Sequence, residues 1–168
     1  SNSWKVPSDL DWNTTHQSEL NSKFIKNFGL QAEISKEPFY TFSNSQLQLD
    51  NLKISLLYGS DNSPEKRWPA SYWSDLIAKL LAISPKPKIY LFGMPRDVEL
   101  SKEIVQTLPQ ESIYNLTAKT NILEFSKHLA SSDLVVSNDS GGLHLANSLG
   151  TNTIGLFGPT NPIRTAPF

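Results

Sequence analysis

Apolar positions recur along this chain in two alternating periods, and the alternation becomes regular after residue 52. Residues 54–58 form a short apolar run that ends at Gly59 and a polar loop, 59–68. A run of that length and composition predicts a buried strand. Pro69 suits a first helical turn, and Trp73, Leu76, Ile77, Leu80 and Leu81 then share one helical face. Residues 88–92 predict a second strand, followed by Gly93 and a helix carrying Val98, Ile104, Val105 and Leu108. Residues 113–116 predict a third strand, 123–130 a helix, 134–137 a fourth strand, 143–149 a helix and 153–157 a fifth strand.

Strand and helix in strict alternation imply right-handed crossovers, hence an α/β fold with a doubly wound, Rossmann-like parallel sheet covered on both faces. Upstream the pattern is looser. Residues 14–28 predict a helix, with Leu20, Phe24 and Phe28 four apart and Gly29 at the C-cap. Residues 1–13 are polar and irregular around Trp4 and Trp12. Residues 38–50 alternate weakly at Phe39 and Thr41 among Asn, Ser and Gln, as a connector or edge strand does. The expected organisation is a linker helix and connector over 1–51 and a ligand-binding Rossmann-like domain over 52–168. Only the Pro-rich residues 158–168 follow the fifth strand, where a doubly wound domain normally has more helix. The pattern therefore predicts a truncated end.

Composition narrows the function classes. The 168 residues suffice for one domain with a reasonable core. With 15 basic and 16 acidic side chains, the chain lacks the basic excess of a nucleic-acid-binding face. The absence of cysteine excludes disulfides, thiolate metal sites and cysteine nucleophiles, and fits a reducing compartment. No apolar run approaches the roughly 18 residues of a membrane-spanning helix. A soluble cytoplasmic protein is expected, with peripheral membrane contact left open.

Ligands of open α/β sheets bind beyond the carboxyl ends of the strands, near the switch point in strand order. The loops after strands one, two, four and five are thus the candidates: 59–68, 93–97, 138–144 and 158–162. In the fourth-strand loop, Asn138-Asp139-Ser140-Gly141-Gly142-Leu143-His144 joins an apolar strand to a helix start. Gly141 and Gly142 allow close backbone approach, Ser140 offers a hydroxyl, and the helix dipole favours an anion. A diphosphate is the obvious ligand. Asp139 or Ser140 alone reads equally as an N-cap, and His144 as a packed or surface residue. His144 in the first turn can otherwise reach the anion or a sugar hydroxyl.

The first-strand loop supplies Ser60, Lys66 and Arg67. Lys66 suits a phosphate oxygen and Arg67 a two-pronged contact; a solvated basic pair is the bland alternative. Cations beside a helix amino terminus oppose its dipole, which points to a purpose beyond folding. Trp68 is expected to pack beneath this loop. Asp97 or Glu99 can accept from ribose hydroxyls, although capping the next helix suits Asp97 better. His128 reads as a structural or surface histidine and His16 as isolated. No histidine or carboxylate grouping has metal-ligand spacing, and no cofactor is implied. Neither a P-loop, a Gly-x-Ser-x-Gly turn nor a Gly-x-Gly-x-x-Gly fingerprint is present.

Three motifs in order, Gly59…Lys66-Arg67-Trp68-Pro69, Asn138-Asp139-Ser140-Gly141-Gly142-Leu143-His144-Leu145-Ala146 and Leu156-Phe157-Gly158-Pro159-Thr160-Asn161-Pro162, resemble those of glycosyltransferase family 9. This is the ADP-heptose:lipopolysaccharide heptosyltransferase family. The match covers about residues 52–165, and the helix around His16–Gly29 loosely resembles the family's interdomain linker. The resemblance implies the carboxyl-terminal half of a GT-B fold, the half that binds the nucleotide sugar. It implies that Lys66 and Ser60 contact the diphosphate, that Ser140, Gly141 and Gly142 form the helix-start anion site, and that Asp139 and His144 lie near the sugar or phosphates. The family's catalytic base is a carboxylate of the other, acceptor-binding domain, so no residue here takes that role.

The implied reaction is inverting transfer of heptose from ADP-heptose to a lipopolysaccharide core sugar, at the inner face of the inner membrane. The chain alone is expected to be inactive. Gly93-Met94-Pro95-Arg96 departs from the family, whose members often carry an acidic residue soon after this glycine. Two other classes compete: a nucleotide or sugar-phosphate binding module without turnover, and a GT-B-like nucleotide-sugar 2-epimerase.

Overall fold

A computed structural model describes residues 10–11, 13–27, 29–31, 33–35, 37, 51–60 and 63–167. The expectations for Trp4, Trp12, Phe28 and the 38–50 connector lie outside the described residues. Five strands form one parallel sheet: β1 (Lys53–Leu57), β2 (Lys88–Phe92), β3 (Ile113–Asn115), β4 (Leu134–Asn138) and β5 (Thr153–Leu156), in the order β3-β2-β1-β4-β5. The order reverses between β1 and β4. Both faces of the central strand are buried, so β1 reads as a continuous run, Ile54-Ser55-Leu56-Leu57, without polar alternation. Its one polar inward residue, Ser55, is satisfied by the hydroxyl of Ser132 at 2.7 Å.

The alternating side chains of the strands build two cores. On one face, Ile54, Leu56, Ile89 and Leu91 pack under helices α2 (Ala70–Leu81) and α3 (Val98–Val105) through Trp73, Ile77, Leu81 and Ile104. On the other, Leu57, Phe92 and Val135 meet α4 (Ile122–Ala130) and α5 (Gly141–Ser148) through Leu129 and Ala146. The fold is the α/β, doubly wound, Rossmann-like sheet that the periodicity predicts. His128 is half-buried against Tyr90 and Phe92, a structural histidine.

Several boundaries move for local reasons. Pro69 is the N-cap of α2 rather than part of its first turn. Helix α3 stops at Val105, leaving Leu108 in the turn beyond. The amino-terminal helix, α1 (Gln17–Lys26), begins later than residue 14 because His16 caps it. His16 is not isolated. Its Nδ1 accepts from the Ser18 N–H at 3.1 Å, and its Nε2 donates to the Ala166 carbonyl at 2.7 Å, which fixes the tautomer. Asn161 adds a bond from its side-chain amide to the Asn13 carbonyl, 2.9 Å. The segment around a short helix unforeseen in the pattern, α6 (Pro162–Thr165), is thereby joined to the chain's first helix. Gly29, just past α1, adopts φ +76°, a left-handed conformation that glycine accommodates without strain. Among the described residues no helix is long and apolar enough to cross a membrane.

The two glycines that open α5 differ in what surrounds them. A Cβ on Gly141 would enter open space, whereas one on Gly142 would lie 2.7 Å from Leu57 Cδ1 in the core. Gly142 is thus small for packing as well as for ligand access. Urea denaturation should show Gly141→Ala neutral or up to ~1 kcal/mol more stable, and Gly142→Ala destabilised by about 1–3 kcal/mol. Equal effects at the two positions would remove the packing explanation.

Candidate functional site

Because every strand is parallel, all the strand carboxyl ends and their loops gather on one edge of the sheet. There they line a cleft of about 760 Å³, within the usual range for small-molecule sites. All seven residues singled out from the sequence line it: Ser60, Lys66, Asp139, Ser140, Gly141, Gly142 and His144. The cleft has two chemically distinct ends. One carries these polar groups. The other, on the β2 and β3 side of the sheet order, is lined by Phe92, Met94 and Ile122 with Gly93, Arg96, Asp97, Thr120 and Asn121, while Leu57 and Phe125 lie against Gly142 between the two.

At the polar end Asp139, 7% exposed, organises its neighbours. One carboxylate oxygen, Oδ2, accepts from Lys66 Nζ at 2.8 Å and from Thr160 Oγ1 at 2.7 Å. Two donors on one oxygen fix the carboxylate's rotation. Burial by itself would raise the Asp139 carboxyl; the hydrogen bonds from Lys66 and Thr160, with the charges of Lys66 and His144, overcome it and hold the group below its ordinary value. Ser140 occupies the N-cap of α5, yet its side chain makes no capping bond. Its hydroxyl lies 3.2 Å from that of Ser137 instead. Simple N-capping is therefore not what Ser140 does, and its side chain leaves the first N–H groups of α5 uncapped. His144, one turn in, is exposed at the rim.

Lys66 is delivered by a one-turn 3-10 helix, Pro64–Lys66, whose proline suits its first position. The loop behind it is tied down at three points. Arg67 donates from Nε and Nη2 to the Ser60 carbonyl, at 3.2 and 2.9 Å. Trp68 N–H donates to Asn138 Oδ1 at 3.2 Å, and the Trp68 ring packs edge-on against Trp73 and Tyr72 beneath the loop, as anticipated. Arg67 thus serves the backbone of its own loop, with its guanidinium also 3.7 Å from Asp97 Oδ1.

Asp97 departs from its expected role. It sits at the N-cap of α3 but makes no side-chain bond to that helix. Its Oδ2 turns back to accept from Met94 N–H at 2.9 Å, and Oδ1 is buried with no hydrogen-bond partner. Glu99 is exposed, paired with Lys102 at 2.7 Å, and does not line the cleft. The choice of loops also needs correction. The loop after β3, passed over in the sequence, brings Thr120, Asn121 and Ile122 to the cleft, whereas the loop after β5 acts through Thr160 on Asp139 without lining it. A Thr-Asn pair before a helix signals an N-cap, and Asn121 does form a capping box with Glu124; nothing in that signal reveals a binding wall.

A model of glycosyltransferase family 9 (heptosyltransferase) matches residues 19–168. The chain belongs to glycosyltransferase family 9. Among family relatives, the lipooligosaccharide heptosyltransferase 2 of Haemophilus influenzae is 38% identical over 117 residues, covering 68% of this chain and 33% of the relative. The family 9 glycosyl transferase of Veillonella parvula superposes with a TM-score of 0.72 at 26% identity, covering 95% of this chain and 48% of that one. The E. coli heptosyltransferase WaaC, solved with ADP-2-deoxy-2-fluoro heptose, gives 0.64 at 25% identity, covering 86% and 45%. The chain therefore spans less than half the length of each of these family members.

The Asp139 cluster makes a pH prediction. A carboxyl held below its unfolded value stabilises the fold above the ordinary carboxylate range, and that contribution disappears as pH falls through the lowered folded value. Denaturation midpoints measured across that acid range should fall for the native chain. Asp139→Asn should flatten the dependence, and Thr160→Val should make the fall smaller and end it at a higher pH, because losing one of the two donors raises the folded value. An acid profile identical in all three proteins would contradict this account.

Proposed function

We propose that this chain is the nucleotide-sugar-binding half of an inverting GT-B glycosyltransferase that moves heptose from ADP-heptose to a lipopolysaccharide core sugar. The observation that carries the reading is one cleft that sets the Lys66–Asp139 pair and the amino end of α5 at one side and the exposed apolar Met94 and Ile122 beside Phe92 at the other. A nucleoside diphosphate has the same division. Family membership and the nucleotide-sugar analogue bound by the related WaaC support the choice of donor.

In this reading the diphosphate lies between Lys66 and the amino end of α5, with Ser60, Ser140 and the glycine backbone around it. Negative charge grows on the diphosphate as the anomeric bond breaks. Fixed donors aimed at that charge stabilise the transition state more than the ground state. Asp139 holds the Lys66 ammonium in place by the 2.8 Å bond and keeps Oδ1 for a sugar hydroxyl. His144 borders the same end.

The acceptor hydroxyl needs a base. Among the described residues, the carboxylates lining the cleft are Asp97 and Asp139, both engaged by cations and hydrogen bonds. Asp139 is held below its ordinary value, and both carboxylates are committed to holding neighbours, a poor match to proton abstraction. The family resemblance assigns the base to an acceptor-binding domain, and on this reading the chain by itself transfers no sugar. The reaction belongs in the cytoplasm, at the inner face of the inner membrane.

In an enzyme carrying both halves, Lys66→Ala should lower kcat by about 100-fold, the scale seen when one transition-state donor is removed. Its thermal midpoint should also fall, because buried Asp139 loses its cationic partner, so turnover is compared well below that midpoint. Unchanged turnover in Lys66→Ala would overturn the assignment of the leaving-group pocket.

A further inference from the structure

Tyr58 follows the last residue of β1 and is wholly buried, yet it carries a hydroxyl into the space below the cleft. That hydroxyl lies 2.5 Å from Thr117 Oγ1 and donates to the Asp97 carbonyl at 3.3 Å. A Cβ on Gly93 would come within 2.6 Å of the same oxygen, so glycine at 93 leaves room for it. One oxygen therefore touches the loops after β2 and β3 from the end of β1. Burial pushes the Tyr58 hydroxyl up to about 12, which keeps it a neutral phenol with its proton in place.

The segment it reaches is strained. Ala118, next to Thr117, has φ +60°, a conformation that costs a residue with a Cβ. The Ala118 N–H donates to the Gly93 carbonyl at 2.9 Å, and Thr117 N–H to Asn115 Oδ1 at 3.1 Å. Strain of this kind persists only where surrounding contacts over-determine the backbone. Two residues later this turn delivers Thr120 and Ile122 to the cleft, opposite Met94.

We infer that Tyr58 is a positioning residue for nucleoside recognition, a strut whose hydroxyl sets the separation of the two loops that form the apolar end of the cleft. The inference rests on the nucleoside-diphosphate reading of the cleft. The strut acts on that end alone, since Lys66, Asp139 and the start of α5 are held by other bonds. Its loss should therefore weaken the nucleoside part of a ligand and leave the diphosphate part untouched.

The test is calorimetric titration of the chain with ADP and, separately, with inorganic pyrophosphate. Tyr58→Phe keeps the ring and removes the hydroxyl. ADP affinity should fall roughly fivefold to tenfold, the worth of one buried hydrogen bond, while pyrophosphate affinity stays at the wild-type value. Thr117→Val removes the same bond from the other side and should give the same split, which keeps the test available if Tyr58→Phe does not fold. The two changes together should cost no more than either alone. Equal loss for both ligands, or unchanged ADP affinity in both variants, overturns the strut. A wild-type chain that binds neither ligand overturns the nucleotide reading itself, and the strut with it.

Discussion

The side-chain amide of Asn138, wholly buried at the end of β4, fixes the point on which the site is built. Its Nδ2 donates to the Tyr58 carbonyl at 2.6 Å, and its Oδ1 accepts from Trp68 N–H at 3.2 Å. One side chain thus joins the ends of β1 and β4, where strand order reverses, to the loop that returns as α2. Backbone groups that leave a parallel sheet have lost their ladder partners and must find others when buried. Asn138 meets that need and in doing so sets the distance between Lys66 and Asp139, the residue next to it. The ion pair, the Thr160 bond and the open start of α5 all depend on that spacing.

From this anchor the cleft divides by the kind of force that shapes it. At one end charges are paired and oriented, and their geometry is set by hydrogen bonds between loops distant in the chain. At the other end aliphatic and aromatic side chains provide the wall, continuous with the core that contains Leu57 and Phe92. The same sheet supplies both. Leu57 lies in the core and Gly59, two residues on, lines the cleft. A fold built this way binds an amphipathic ligand without a dedicated domain for each part.

Much of this was legible in the residues. Short runs such as Ile54–Tyr58 and helical faces such as Trp73, Ile77 and Leu81 carry their period openly, so strand order in the chain and both cores follow. Residues of the polar end were legible for another reason: Lys, Asp and a Ser-Gly pair stand in turns at the strand ends, where an apolar core does not call for them, although Gly142 serves packing as well. Boundaries were less so. His16 caps a helix that Thr14 and Thr15 also suit, and Pro69 stops one position short of the helix it precedes. Least legible were the residues whose meaning comes from a partner far along the chain. Thr160 reads as a turn residue until it is placed against Asp139, and Tyr58 as another core aromatic until Thr117 meets it.

Gly59 also bears on how such a site can be altered. A Cβ there would lie 2.6 Å from Asp97 Oδ2, the oxygen that holds the Met94 amide. Any larger residue at 59 evicts the carboxylate, and the second loop loses its shape even though no ligand has been touched. Positions 59 and 97 are therefore sterically coupled, so a change at one constrains the other. Variation has freer ground at Met94 and Ile122, which are 58% and 71% exposed on the lips of the cleft. A library confined to those lips would search specificity while the frame beneath it stays constant.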